Sequence, residues 1–258
     1  MRRLLLVLSP ALLLAFPRGS AAQLAPELGV SLFSAYAWRG LTVVSRPVVQ
    51  PQVTLAAGPA ALGVWANLEP VAYRGADDLT ALAGRSAPGL TEVDPSVEIG
   101  GAVGTMSVTA GAVAYLFTHA AGYATAPNTA ELYGRARLAG AIPLELDGYL
   151  DVHAVRGLYL EAGLQRPLPG LPALLLGARA GASFGETQGP ETSYFERDGI
   201  THVELSATLP FALGPLRLTP VANVDFGVDP AARVASRTST RRAKLWAGLS
   251  VGWPGKGE

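Results

Sequence analysis

The chain has no cysteine among its 258 residues, and only 16% of its residues are charged. The absence of cysteine excludes a disulfide framework and thiol chemistry. After the first 22 residues no stretch approaches 18 continuous apolar residues, which argues against a transmembrane helix. Only three histidines are present as candidate general bases. Disulfide-rich domains, thiol enzymes and helical membrane proteins are therefore disfavoured.

The first 22 residues predict a signal peptide. Residues 1–3 are basic, residues 4–16 form a short apolar run, and residues 20–22 are small and precede a predicted cleavage site before Gln23. A retained membrane anchor is disfavoured because the apolar run is too short to span a bilayer and ends at Pro17. We therefore expect residues 1–22 to be removed and residues 23–258 to form the mature domain.

The formal charge of zero changes when the signal peptide is set aside. Removing Arg2, Arg3 and Arg18 from the 20 basic residues leaves 17, against 20 acidic ones. A slightly acidic chain does not fit nucleic-acid binding, which favours a basic surface. Hydrophobic residues reach 49%, and 30 glycines and 20 prolines are spread along the chain. This composition leaves two classes, a secreted all-β protein or a β-barrel whose apolar side faces lipid.

Strict alternation of apolar and polar residues predicts strands along the whole mature chain. In one example, Leu144, Leu146 and Leu150 alternate with Glu145 and Asp147. Each segment has about 8 to 11 residues, close to the length that a tilted strand needs to cross a bilayer. Twelve segments show the pattern: 28–38, 48–55, 62–69, 92–99, 106–116, 130–138, 144–153, 158–165, 174–184, 202–209, 216–226 and 245–253.

The lengths of the connections separate a barrel from a sandwich. Short connections alternate with longer ones along the chain. The exception is the connection after the seventh predicted strand, which is short although a long one is expected at that place. Short periplasmic turns and longer extracellular loops are typical of outer-membrane barrels, whereas a sandwich has no reason for this alternation. We therefore predict an all-β fold: a single closed antiparallel transmembrane barrel of about 12 strands, spanning residues 23–258.

The first two predicted strands contain residues that a soluble core would not accept. Gln50, Gln52 and Arg39 are assigned to the wet interior, and Tyr36 and Trp38 to an aromatic girdle at the upper rim. Pro51, in contrast, lacks the N–H that a central strand needs. We expect it to occupy a bulge or to give up one ladder hydrogen bond.

Several short motifs carry a family resemblance. The sequence SAYAWRG at 34–40, followed by PVVQ at 47–50 and NTAELY at 128–133, resembles the TorF-like family of outer-membrane porins. The resemblance extends over about two thirds of the chain and includes GVWAN at 63–67 and YLEAG at 159–163. It implies a porin-type barrel in the outer membrane and adds little about the solute.

The side chains that the alternation assigns to the interior of the barrel include many charged ones. One interpretation is a narrow hydrated channel for passive diffusion of small ions or polar solutes. The alternative is a closed structural or adhesive barrel, in which the charges pair across the interior and fill it. The predicted pore-lining residues are Arg39, Gln50, Gln52, Glu69, Glu92, Asp94, Glu98, Glu131, Arg135, Arg137, Glu145, Asp147, Asp151, Glu161, Arg179, Glu204, Arg217 and Asp225.

An outer-membrane lipid hydrolase is a third and less favoured class. His202 is the best base candidate because it begins the tenth predicted strand on the lumen side, whereas His119 lies in a predicted loop and His153 at a strand end. No G-x-S-x-G motif accompanies them, and no nucleophile can be paired with a base. We predict no catalytic residue, no metal site and no cofactor.

The predicted partners are membrane lipid, small solutes and lipopolysaccharide, with no nucleic acid. The last long loop is basic, and arginine binds phosphate in a bidentate manner, so contact with lipopolysaccharide phosphates is a hypothesis that stands beside a simply solvated loop. The oligomeric state stays open. The basic residues concerned are Arg233, Arg237, Arg241, Arg242 and Lys244.

Overall fold

The computed structural model describes residues 25–70, 88–118, 128–140, 142–185, 194–232, 234–236, 239–241 and 243–253. Within these ranges the regular structure is entirely β-strand. No helix that is long and apolar enough to cross a membrane occurs among the described residues. The predicted signal peptide and His119 lie outside them.

The described residues form seventeen strands, of which twelve are long and five are three or four residues in length. The long ones contain 8 to 15 residues. The bounds are β1 (Ala25–Phe33), β2 (Tyr36–Trp38), β3 (Leu41–Val44), β4 (Val48–Ala57), β5 (Ala60–Glu69), β6 (Gly89–Val103), β7 (Met106–Phe117), β8 (Thr129–Leu138), β9 (Leu144–Asp151), β10 (Leu158–Leu168), β11 (Leu171–Phe184), β12 (Gly199–Thr208), β13 (Phe211–Leu213), β14 (Leu216–Gly227), β15 (Val234–Ser236), β16 (Ser239–Arg241) and β17 (Ala243–Trp253).

The twelve long strands close into one antiparallel barrel. Each long strand from β4 to β12 pairs with the next one along the chain, and β12 pairs with β14. Strand β14 pairs with β17, β17 with β1, and β1 with β4, so the ring is complete. The prediction of a closed barrel of about 12 strands is confirmed. Closure leaves no unpaired edge, which a strand surrounded by lipid could not tolerate.

The two ends of the barrel differ. At one end, which we call the short-turn end, the strands are joined by tight turns such as residues 58–59, 104–105 and 169–170. Strand β1 begins and β17 ends at this end, because Ala25 pairs with Ala56 and Leu28 with Trp253. The opposite end, the long-loop end, carries the longer connections.

The outer face of the barrel is apolar. Leu146, Leu160 and Leu176 are each 42% exposed and Leu205 is 48% exposed. The alternate residues point inward, as shown by the ion pairs that Glu145 forms within the lumen. The alternation therefore separates an outer surface that suits hydrocarbon from a wettable bore, as the sequence predicted.

The prediction that the first strand continues to Trp38 is wrong. The chain leaves the wall after Phe33, which pairs directly with Val48, and residues 36–44 fold as a separate hairpin of β2 and β3. We call residues 36–44 the inner hairpin. Its two-residue turn is Arg39-Gly40, with φ of 50° and 77°, and positive φ at both positions is what a type I′ turn requires.

The placement of Tyr36 and Trp38 in an outer aromatic girdle is also wrong. Tyr36 is buried within the barrel, and Trp38 packs against a core cluster there. The reason is the chain reversal at Arg39-Gly40, which carries both rings inward with the hairpin.

Pro51 keeps its place in the wall without a bulge towards β1. It pairs in register with Val30, whereas pairing between β4 and β5 lapses between the Val49–Leu68 and Gln52–Trp65 pairs. The proline thus forgoes ladder bonds on its β5 side, one of the two outcomes expected from its missing N–H.

Candidate solute path and inner hairpin

A cavity of about 570 Å³ occupies the lumen beside the inner hairpin. Its wall is both aromatic and charged, with five carboxylates against three guanidinium groups among its lining residues. Half of the predicted pore-lining residues border it, namely Arg39, Gln52, Asp94, Glu98, Arg135, Glu161, Arg179, Glu204 and Asp225.

Strand β8 shows how hydration changes along the lumen. Its inward residues, taken from the long-loop end to the short-turn end, are Glu131, Tyr133, Arg135 and Arg137. The side chain of Glu131 is 1% exposed, that of Arg135 33% and that of Arg137 50%. Water therefore reaches the lumen from the short-turn end and is excluded near the long-loop end.

The inner hairpin causes this exclusion by crossing the lumen. It is rooted between β1 and β4, and its tip contacts β8, β9 and β10. In the ring of twelve long strands, β9 lies six strands away from β1 and is therefore on the opposite wall. The hairpin spans the bore from one side to the other.

Arg39 at the hairpin tip makes the most extensive contact with the opposite wall. Its Nη1 and Nη2 atoms donate hydrogen bonds to the two carboxylate oxygens of Glu131, at 2.8 and 2.6 Å. Its Cζ atom lies 4.3 Å from the Trp38 ring centroid, 4.6 Å from that of Tyr149 and 4.4 Å from that of Tyr159. A bidentate ion pair among three rings is strong because each ring face attracts the cation in a dry site.

The residue after Arg39 brings the hairpin against two further strands. A side-chain carbon on Gly40 would overlap the His202 ring of β12, so the close approach requires glycine here in addition to the positive φ. Lys244 of β17 donates a hydrogen bond to the Gly40 carbonyl oxygen. The assignment of Lys244 to the basic last loop is therefore wrong, because its position in β17 turns it into the lumen.

Apolar packing fixes the two sides of the inner hairpin. Tyr36, Val43 and Val44 form a buried cluster on one side, with the Tyr36 ring centroid 5.6 Å from that of Trp65. On the other side Leu41 packs with Phe195 of the 185–198 connection. Arg46, just beyond the hairpin, pairs with Glu69. The hairpin thus supplies a core to a barrel that has little other apolar interior.

A second level of ion pairs lies nearer the short-turn end and is open to water. Arg137 pairs with Glu145 at 3.0 Å, and Arg179 pairs with Glu145 at 3.3 Å and with Glu161 at 3.1 Å. Arg135 lies 3.6 Å from Glu98, with its Cζ 4.4 Å from the Tyr133 ring centroid. These groups have fewer or longer contacts than Arg39 and remain hydrated.

Two predicted pore-lining residues make hydrogen bonds that hold the wall and a turn near the long-loop end. Asp151 accepts hydrogen bonds from the backbone N–H groups of His153, Val155 and Arg156, and so holds the 152–157 turn. Gln50 donates to Asn67 at 3.1 Å. Both Asp151 and Gln50 are buried near the long-loop end.

Other predicted residues keep unused hydrogen-bonding capacity or lie at the rim. Buried carboxylate oxygens without a hydrogen-bond partner occur on Glu92, Asp94, Asp147 and Asp225. Arg217 lies close to the short-turn end, opposite Gly252, and is exposed. Three of the four carboxylates lie on β6 and β9, so part of the negative charge on these two strands has no hydrogen-bond donor among the described residues.

The tyrosines of the lumen were not among the predicted pore-lining residues. Tyr133, Tyr149 and Tyr159 are directly opposed across β8, β9 and β10, and Tyr115 donates to Glu131 at 2.7 Å. All four stand in the inward phase of the alternation. The sequence signal that could have identified them is their position in the alternation, because every residue at an inward position faces the bore, whether it is a tyrosine or a glutamate.

The two histidines within the described residues give little support to catalysis. His202 is 2% exposed, and its Nδ1 atom lies 3.1 Å from the Oγ1 atom of the adjacent Thr201, beneath the hairpin. His153 lies in the 152–157 turn. Among the described residues no group of three or more His, Asp or Glu side chains could hold a metal ion.

Comparison with known proteins supports the fold and leaves the family open. No family model matches the sequence. No curated protein matches it either. The TorF-like assignment therefore stays a prediction.

Solved structures resemble the chain in architecture. A membrane protein from work on in-meso crystallisation is 8% identical, with a TM-score of 0.50, over 91% of this chain and 85% of that one. The KdgM porin in complex with disordered oligogalacturonate is 8% identical, with a TM-score of 0.49, over 89% and 98% of the two chains. Outer membrane phospholipase A from Escherichia coli is 14% identical, with a TM-score of 0.40, over 93% of each chain. At 8% identity, the likeness with a TM-score of 0.50 supports the fold alone.

Proposed function

We propose that the protein is an outer-membrane channel for the passive diffusion of small ions or polar solutes, exported with removal of residues 1–22. The observation that carries the proposal is the charged cavity of about 570 Å³ inside a closed barrel with an apolar exterior. Because short turns are periplasmic in such barrels, the hydrated end of the lumen would face the periplasm and the inner hairpin the cell exterior.

The charge of the cavity wall favours cations. Five carboxylates outnumber three guanidinium groups among its lining residues, and a ring of carboxylates lowers the barrier for cations relative to anions. Lipid would cover the outer face. Contact of the last loop with lipopolysaccharide phosphates stays a hypothesis, since the side chains of residues 233–242 lie outside the described set.

The test is the ion current through the refolded mature chain in a planar lipid bilayer. We expect small unit currents in potassium chloride, because twelve strands enclose a modest bore that the inner hairpin narrows further. Under a salt gradient the reversal potential should have the sign of cation preference. Absence of current at every salt concentration, both in the wild type and after replacement of the hairpin, would contradict the channel.

A closed structural barrel is the second candidate, and the inner hairpin is the observation that favours it. The hairpin reaches across the lumen and buries Arg39 and Glu131 at the crossing. A wild-type barrel that carries no current, and that begins to conduct when residues 35–46 are replaced by a short turn, would have this role, because the hairpin then accounts for the closure.

The proposal assigns no enzymatic activity. His202, the best base candidate, lies under the hairpin against Gly40 and Thr201, where a lipid ester has no access. Lipid or ester hydrolysis by the wild type that disappears in His202→Ala would contradict this part of the proposal.

A further inference from the structure

Arg39 is held by the opposite wall in the way that a protein holds a bound guanidinium ion. Both of its terminal nitrogens donate to Glu131, at 2.8 and 2.6 Å, in the paired geometry that an ammonium group cannot reproduce. The ring centroids of Tyr149 and Tyr159 lie 4.6 and 4.4 Å from its Cζ atom. The wall supplies the anion and two ring faces, and the hairpin supplies the cation and Trp38.

The wall part of this arrangement is held by contacts among barrel residues in addition to its contacts with the hairpin. These hairpin contacts include Leu41 against Phe195 and the Trp38 ring 6.0 Å from that of Tyr115. Tyr115 of β7 donates to the Oε2 atom of Glu131 at 2.7 Å, which orients the carboxylate. Tyr149 and Tyr159 are opposed on the paired strands β9 and β10, with ring centroids 6.4 Å apart, and Tyr159 stacks on Phe195 at 6.1 Å. Because paired strands carry these groups, the site keeps its shape when the hairpin tip is altered.

We propose that Glu131, Tyr149 and Tyr159 form a guanidinium-binding site in the lumen wall, and that Arg39 occupies it as a tethered ligand that holds the inner hairpin across the bore. The ligand class is a small compound with a free guanidinium group. This goes beyond the proposed channel by naming a binding site and its ligand, and the binding can be measured without any current.

Arg135 also lies over a tyrosine ring, and comparison with it shows how the site around Arg39 differs. Arg135 has one ring, that of Tyr133, and its shortest carboxylate contact is 3.6 Å, to Glu98. Its side chain is one-third exposed, whereas Arg39 is 5% exposed on its side chain. Dryness strengthens both the ion pair and the attraction between cation and ring. Among the arginines that the structure describes, Arg39 alone combines burial, paired hydrogen bonds to a carboxylate and contact with several rings.

The tether explains why the wild type should hide the site from free ligand. A group attached by a short segment competes at an effective concentration on the order of millimolar, and packing of the hairpin raises this value further. Removal of the guanidinium alone, with the hairpin left in place, should therefore expose the site. Arg39→Asn does this with little strain, because asparagine tolerates the positive φ of 50° and Asn-Gly favours the type I′ turn.

The experiment measures binding of ethylguanidinium to the refolded barrel in detergent micelles by isothermal titration calorimetry. We expect Arg39→Asn to bind one equivalent, and the wild type to bind at least about tenfold more weakly because its own arginine competes. Ethylammonium should bind the variant at least about tenfold more weakly than ethylguanidinium, since it cannot form the paired hydrogen bonds. The double variant Arg39→Asn, Glu131→Gln should lose binding.

A matched control removes an arginine from the hydrated level. In Arg137→Ala the partner Glu145 keeps its contact with Arg179 and no ring contact of Arg137 is lost, so no ethylguanidinium binding should be gained. Folding of each variant is checked by its heat-dependent mobility in gels. If Arg39→Asn does not refold, Arg39→Gly takes its place, because glycine also accepts the positive φ of 50° and leaves the rest of the hairpin over the site.

Two results would overturn the proposal. One is a folded Arg39→Asn barrel that binds no ethylguanidinium, and the other is equal binding by the double variant with Glu131→Gln. The fate of the channel is separate. Binding of ethylguanidinium without any ion current would contradict the proposed channel and support the binding site. An ion current without binding would support the channel and contradict the binding site.

Discussion

The two halves of the lumen contain the same kinds of side chain in different surroundings. Near the long-loop end, the Arg39–Glu131 pair is 5% and 1% exposed on its side chains and is enclosed by rings. Nearer the short-turn end, the Arg137–Glu145 pair is 50% and 32% exposed. Both pairs have donor–acceptor distances within 3.0 Å. The difference lies in what covers them.

The cover is the inner hairpin, and it changes what each charge does. A buried pair must be complete, because the survivor of a broken pair is left uncompensated in a dry site. A hydrated pair contributes little to stability, and its charges remain available to passing ions. If the proposed channel function holds, the level of the hairpin tip closes the bore and the hydrated level is suited to permeation.

Removal of the hairpin should have the largest effect on this contrast. Phe33 and Val48 already pair across β1 and β4, so residues 35–46 can be replaced by Asn-Gly without distortion of the wall. We expect the unit current in a planar bilayer to rise several-fold, because the bore is then open from end to end. An unchanged current in a folded variant would mean that the hairpin is not the part of the bore that limits the current.

Neutralising one partner in each level compares the two pairs directly. Glu131→Gln leaves a buried guanidinium without its anion and should lower the free energy of unfolding by about 3 kcal/mol. Glu145→Gln removes the anion of a hydrated pair and should lower it by about 0.5 kcal/mol. Urea unfolding in short-chain lipid vesicles, followed by tryptophan fluorescence, measures both. Equal effects would show that the two levels are equally wet.

The barrel could be predicted from the sequence because its signal is local. Alternation within each strand, as in Leu144–Asp151, assigns one face to lipid and one to the bore, and an even number of such strands closes without an edge. The same phase turned Tyr149 and Tyr159 inward. What it could not supply is the height of each residue in the bore, which depends on the registers of neighbouring strands.

The inner hairpin could not be predicted in the same way. Leu41–Val44 is a four-residue strand whose pattern does not differ from that of a short loop, and its burial depends on partners such as Tyr159 and Phe195 far along the chain. From the sequence, Trp38 was assigned to an aromatic girdle at the rim, and Arg39 to the interior face of a wall strand. Arg39-Gly40 between apolar residues is a possible hairpin turn, but sequence alone does not say that it turns into a barrel.

Two glycines with positive φ also allow the two ends of the barrel to be compared, with a smaller expected change in stability. Gly40, at 77°, faces the His202 ring, whereas Gly58, at 60° in a turn at the short-turn end, has nothing within 4 Å of an added side-chain carbon. Gly40→Ala should cost about 2 kcal/mol from backbone strain and steric overlap together. Gly58→Ala should cost about 1 kcal/mol from strain alone. Thermal unfolding in micelles compares them, and a larger loss for Gly58→Ala would argue against close packing of the hairpin tip.

Replacing one aromatic ring at each level of the lumen should lower the free energy of unfolding by a still smaller amount. Tyr149→Leu removes a ring from Arg39 and should lower the free energy of unfolding by about 1 kcal/mol, because the cation there is desolvated. Tyr133→Leu removes the ring from the more hydrated Arg135 and should cost about 0.5 kcal/mol through that contact. The same urea titration measures both variants. If Tyr133→Leu costs more, the aromatic contacts of Arg39 contribute less than their number indicates.

The hydrated pair itself should give the smallest effect on stability. Arg137→Gln removes a half-exposed guanidinium, so we expect the free energy of unfolding to change by less than about 0.5 kcal/mol. In the wild type the positive charge of Arg137 acts on ions in the bore. Its removal should therefore shift the reversal potential further towards cation preference. The shift should shrink as salt is raised from 0.1 to 1 M, since the screening length falls from about 10 to 3 Å. A stability loss as large as that of Glu131→Gln would mean that this level of the lumen is as dry as the level of the hairpin tip.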